Sequence, residues 1–219
     1  MKARLSTSIP PPRIPNDIEP CGVAALGDAL ELVKVRIADQ DFAGSKHSNV
    51  TFEQTLVQRV LLAKSRLNGA RLFDVHCEAS DLSGSVWQRS RWQRVYLKGC
   101  KLTGMQLPSF SGVDVLFHEC TMEGMIFSGG KVKGLHFEKC RMARTVFDRI
   151  EVSDATFREC DLTGVDLAGS LLHRVDLRGS EIADIRIEVG QYKGLTIDPA
   201  QAAWLMAQLG CTVSYTDED

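Results

Sequence analysis

The feature that most constrains this chain is a beat of five residues. Stepping in fives from Phe42 to Ile197, 30 of 32 positions are apolar, and the exceptions are His47 and Gly112. The phase never slips, so no insertion interrupts the array. A period of five fits neither the 3.6 of a helix nor the 2 of a strand. Unbroken repetition at a short fixed period points to a solenoid, in which each unit buries its apolar groups against its neighbours.

The residue two places earlier repeats as well: Ser45, Val50, Thr55, Val60, Ser65, Ala70, Val75, Ser80, mostly small or β-branched. Alternate residues of an extended segment point the same way, so the small residue and the large one both point inward. The three residues between successive pairs turn a corner. Gly44, Gly84, Gly104, Gly124 and Gly164 recur there, where a turn needs a permissive backbone. A twenty-residue period runs through Cys100, Cys120, Cys140 and Cys160, and a second through Phe117, Phe137 and Phe157. One coil is therefore expected to hold twenty residues on four sides, with these cysteines and phenylalanines as ladders in the core.

The segments C-D-L-T-G-V-D-L-A-G-S (Cys160 to Ser170) and V-D-L-R-G-S (Val175 to Ser180) resemble the pentapeptide repeat family, whose unit reads A-(D/N)-L-x-x. The resemblance implies an all-β fold: a right-handed quadrilateral β-helix of about eight coils with a C-terminal capping helix. The centre departs from the family pattern, because large residues occupy the small position at Met105, Phe110, Met125, Leu135 and Ile150. Around Gly112 the large–small pair is reversed. Phe110 is expected to fill the space that Gly112 leaves, with local distortion beside Pro108.

Three regions are expected: an N-terminal segment and cap over 1–34, the β-helix over 35–197, and a C-terminal unit over 198–219. Residues 1–20 hold five of the seven prolines and read as a segment that wanders or lies along the surface. Cys21 to Val35 reads as a short helix or a first strand that covers the open coil. Asp198-Pro199-Ala200-Gln201 carries an N-cap, a proline at the first helical position and a capping-box glutamine. Ala202, Leu205, Met206 and Leu209 share one face of that helix, and Gly210 stops it. Cys211 to Tyr215 alternates like a strand, ahead of an acidic tail, Asp217-Glu218-Asp219. Trp204 lies off the inward face, where it either meets a partner or packs over the rim.

The sequence holds no nucleophile elbow, P-loop, H-E-x-x-H or dinucleotide fingerprint. His76 and His136 fall in one outward column three coils apart, too far to act together. Without C-x-x-C pairs, the seven cysteines read as reduced thiols, the ladder Cys100–Cys160 reads as core packing, and no cofactor or metal is expected. No run long enough to span a membrane appears. The N-terminus lacks the apolar core of an export signal, so a cytoplasmic location is expected. An enzyme is not expected, which leaves the outer surface to carry function.

That surface is asymmetric. Residues 1–110 hold 15 Lys/Arg and 10 Asp/Glu, whereas residues 111–219 hold 11 and 18. Outward apolar residues form two columns, Leu56–Tyr96–Leu116 and Val86–Ile126–Val146, which either bind a partner or lie partly under the N-terminal segment. Within the family, the resemblance extends to bacterial proteins that protect DNA gyrase by imitating duplex DNA and that dimerise through a C-terminal helix. It implies a homodimer through Trp204, Leu205, Met206 and Leu209. Such a dimer, joined to the charge asymmetry, would set a partner-binding acidic surface of Asp161, Asp166, Asp176, Glu181, Asp184 and Glu188 at the centre of a long rod, with no direct contact with nucleic acid expected. The alternative is a general protein-interaction scaffold.

Overall fold

The computed structural model describes residues 9–22 and 26–214. Ten strands stack in parallel on one side, from Glu19–Pro20 and Val35–Ala38 through to Leu171–Asp176 and Leu195–Thr196. Their register advances by twenty residues per step, as in the column Leu56, His76, Tyr96, Leu116, His136, Thr156 and Asp176. The chain is thus a parallel β-solenoid of about nine turns.

The corners are equally regular. Every fifth residue from Ala29 to Asp184 has a positive φ. Four corners per twenty-residue coil make four sides. Side one carries Leu82 and Leu102 at its centre, side two Trp87 and Leu107, side three Trp92 and Gly112, and side four Leu97 and Phe117. The five glycines singled out above all lie in this series, but 21 of its corners are not glycine. An L-residue in the left-handed region is strained, so these corners hold only because the stacked ladder fixes them. Three of them are tied to the coil above by a two-point Arg–Asp pair: Arg59 to Asp39, Arg94 to Asp74 and Arg174 to Asp154.

Inside, the small and large positions of the repeat are both buried. Cys100, Cys120, Cys140 and Cys160 form one column, each at most 3 % exposed. The Phe117, Phe137 and Phe157 rings stack at 5.1 and 4.7 Å, nearly parallel. Phe127 and Phe147 stack beside them at 4.9 Å. A methyl group on Gly112 would come within 3.0 Å of the Phe110 ring, so Phe110 does occupy the room that Gly112 leaves. Here Gln106–His118 and Ile126–Glu138 run as single strands through what is elsewhere a break between sides two and three.

The regular corners begin at Ala29, and Glu31–Val33 already pairs with Thr51–Glu53. The stretch from Cys21 to Val35 therefore contributes strands, not a helix, among its described residues. Ahead of it the chain runs back across the coils, where the Arg13 backbone N–H donates to Asp74 at 3.0 Å.

At the other end, helix α1 (Pro199–Gln208) closes the stack. The Asp198 carboxylate accepts from the Gln201 backbone, and the Gln201 side chain returns to the Asp198 backbone. The inward residues of α1 are Gln201 and Leu205, whereas Met206 and Leu209 point to solvent, 39 % and 48 % exposed. This corrects the expected inward face: the helix meets the last coil at i, i+4 from Gln201, because the glutamine amide satisfies the coil's free carbonyls. No strand forms over Cys211–Ser214, which is exposed. Tyr215 and the acidic tail lie outside the described residues.

Candidate functional surface

Among the described residues no group of three metal-ligating side chains converges, and no helix is long and apolar enough to cross a membrane. Side chains fill the interior, and the buried ladder thiols donate to backbone carbonyls of their own and the preceding coil. The Cys120 thiol donates to the Leu97 and His118 carbonyls, and its neighbours Cys100 and Cys140 together with burial push it up, which keeps it neutral. The charged side chains stand almost entirely on the outer faces and at the C-terminal end.

Five of the six expected acidic residues gather at that end. Asp161 and Glu181 are stacked neighbours on side one, and Asp166 lies on side two above Arg186. Asp184 occupies the corner between these sides, and Glu188 follows on side two. Glu181, Asp184 and Glu188 are exposed, whereas Asp161 and Asp166 are half-buried.

Asp176 does not belong to this surface. It is fully buried, bonded by Arg158 at 2.8 Å and Arg178 at 2.7 Å. Burial pushes its carboxyl up, but the bonds from Arg178 and the charge of Arg158 outweigh burial and hold it below the usual carboxylate range. It is a structural anchor on side four, covered by Thr196 of the next strand and gripped by two arginines of the adjoining column.

The acidic residues also have a structural duty. Asp161 accepts from the Thr163 N–H at 3.0 Å, Asp166 from Ala168 at 2.9 Å, and Glu181 from Ala183 at 3.3 Å. Asp41 and Asp81 do the same in the first half. An aspartate just before the central apolar residue thus closes the turn that follows it, as short polar side chains do in Asx turns. Bonds to Thr163 hold the Asp161 carboxyl below its usual range.

The expected dimer residues divide. Leu205 is buried against the last coil, while Met206 and Leu209 are exposed and Trp204 is half-buried. Trp204, Leu205, Gln208 and Leu209 form one wall of an open cleft of about 840 Å³, whose other wall includes Val146, Asp166, Arg186 and Tyr192. Arg144 and Arg186 intrude on the acidic group, with Arg186 3.6 Å from Asp166. Of the two apolar columns, Leu56 and Leu116 are half-buried on side four, and Val86, Ile126 and Val146 are half-buried on side two.

Sequence reasoning missed the plugs of the C-terminal end. Gln191 donates to the carbonyls of Leu167 and Ser170, and Gln201 to those of Leu177 and Ser180. Their shared signal is an acidic residue three places earlier, Glu188 or Asp198, whose carboxylate accepts from a corner glycine N–H.

Residues 113–187 match the family model described as a pentapeptide repeat region. No curated protein sequence matches the chain. Among solved structures, trypsin-treated QnrB1, a plasmid-mediated fluoroquinolone resistance protein, is similar at 22 % identity and a TM-score of 0.40, over 86 % of this chain and 99 % of that one. HetL, involved in heterocyst differentiation regulation in the cyanobacterium Nostoc sp. strain PCC 7120, is similar at 14 % identity and a TM-score of 0.29, over 78 % of this chain and 90 % of that one. At these scores the likenesses carry no argument about partners.

Proposed function

We propose that this chain, which carries a pentapeptide repeat region, is a non-enzymatic rod that binds a protein partner through its acidic C-terminal end. The partner we favour is a type II topoisomerase, DNA gyrase, which the rod would shield from topoisomerase poisons by taking the place of duplex DNA. One observation supports this most: Asp161, Asp166, Glu181, Asp184 and Glu188 gather on two adjoining sides of a stiff stack. Negative charge on a rigid rod suits a channel built for phosphates, where electrostatics dominate binding. Exposed Met206 and Leu209 at the same end suit a two-fold contact that would bring two acidic ends together at the centre of a longer rod. Free cysteines suit a reducing compartment such as the cytoplasm.

A second reading, a general protein-interaction scaffold, draws on Arg144 and Arg186, which dilute the negative charge. A supercoiling assay with purified gyrase, with and without a quinolone, separates the two. Protection by the wild type, lost on combining Asp161→Asn, Asp166→Asn, Glu181→Gln, Asp184→Asn and Glu188→Gln, is the expected result. Asparagine keeps the acceptor that closes the turns, so the variant removes charge without removing fold. A wild type with no effect on gyrase leaves the scaffold reading.

A further inference from the structure

The positive charge of the N-terminal half is also concentrated. Lys46 and Arg66 stack on side two, Arg71 and Arg91 stack on side three, and Arg89 stands on the corner between them. All five side chains are exposed. No carboxylate of the described residues lies within 4.0 Å of any of them, whereas the basic residues Arg59, Arg94 and Lys98 nearby are all paired. Arg89 instead donates twice to the Asn68 amide oxygen, at 3.1 and 2.9 Å. The acidic groups on these two sides of the N-terminal half are Asp28, already accepting from the Ser48 N–H, and, on side three, Glu53 and Glu31, the latter in the Arg71–Arg91 column but separated from Arg71 by Thr51.

The same corner holds a shallow depression of about 280 Å³ on side two. Lys46, Ser48, Arg66, Asn68 and Gln88 line it, with His47 and Asp28 at one end. Ser48, Asn68 and Gln88 form one stacked column beside the Lys46–Arg66 column. Cations alternating with hydroxyl and amide groups at a rise of about 4.8 Å are the groups that hold a nucleic-acid backbone. Trp87 and Trp92 on these sides point inward and are buried, so they offer no platform on which an unpaired base could stack.

We propose that this corner binds the sugar–phosphate backbone of duplex DNA without regard to sequence. The proposal departs from the expectation of no nucleic-acid contact, and it stands whether or not the acidic end engages gyrase, because a different half of the rod carries it.

The test is fluorescence anisotropy with a labelled duplex of about 20 base pairs and no other protein present. Affinity should fall as KCl rises from about 30 to about 200 mM, with a log–log slope near −4.5, as about five phosphate contacts would give. Combining Arg66→Glu, Arg71→Glu and Arg91→Glu should weaken binding by at least about tenfold and flatten the slope by about 3. Circular dichroism of the variant should match the wild type, since all three side chains are exposed. No binding at the lower salt would overturn the proposal, and so would equal binding by the triple variant. Tighter binding of the single strand, or displacement of the duplex by equimolar poly-glutamate, would also overturn it.

Discussion

A methyl group on Gly130 would lie 2.0 Å from the Phe110 carbonyl oxygen, and Gly130 also holds a φ of 92°. Gly44 shares the positive φ but has nothing within 4 Å. Gly44→Ala should therefore cost only the strain of an L-residue, about 1 kcal/mol, whereas Gly130→Ala should cost more than about 3 kcal/mol. Thermal melts that place the two variants together would contradict the close coil-to-coil approach at Phe110. Acid sensitivity is also set by single residues. Burial pushes His136 below the usual imidazole range, its Nδ1 lying 2.6 Å from the Thr156 hydroxyl; Glu138, Asp114 and Asp154 counter the shift, and Arg158 adds to it. A group whose folded value is depressed contributes stability above its unfolded value and loses it as the pH falls. His76, also lowered by burial, acts in the same direction. Melting temperature should therefore begin to drop below about pH 6.5, the unfolded imidazole value. A second decline should follow below about pH 4, as Asp74 and Asp176 lose their arginine bonds. In His136→Gln the first decline should shrink relative to wild type, and an unchanged profile would count against this account.

At the scale of the element, the C-terminal end is closed by two similar devices rather than by helix packing alone. Gln201 supplies bonds of 2.7 and 2.8 Å to carbonyls that the missing next coil would otherwise satisfy. Gln201→Leu keeps the bulk but strands both carbonyls, so it should destabilise the last coil by about 2 kcal/mol or more. Asp198→Ala removes the N-cap of α1 and should cost about 1 kcal/mol. Hydrogen exchange is the measurement to use, because stability in a stacked array is local. Protection should fall in residues 171–197 while residues 91–118 keep theirs. Loss spread evenly over the rod would mean that the end is not an independent unit.

At the scale of the molecule, nine steps of about 4.8 Å give a rod of about 43 Å, slightly longer than the eight coils expected from the five-residue beat. A two-fold contact through α1 would roughly double the maximum dimension seen by small-angle scattering. Met206→Asp with Leu209→Asp should return it to the single-rod value with the β-rich spectrum intact. Leu205→Asp is the wrong probe, because Leu205 is buried and its change would damage the cap itself. A single-rod dimension for the wild type would remove the central acidic patch that the gyrase reading draws on.

The five-residue beat by itself determined the inward register, the twenty-residue coil and the ladders of Cys100–Cys160 and Phe117–Phe157. In-or-out orientation along an extended chain is a local property of the backbone, so spacing alone reveals it. The swap between Phe110 and Gly112 was legible for the same reason. Which outward residues are free was not legible, because that depends on side chains twenty residues away. Asp176 is buried by Arg158 and Arg178, and Arg71 and Arg91 are left unpaired because neither meets a carboxylate on the coils beside it. The face that α1 presents was likewise decided by tertiary structure. Hydrophobic spacing favoured Met206 and Leu209, but two orphaned carbonyls at the end of the stack required an amide, and Gln201 turned the helix to supply it.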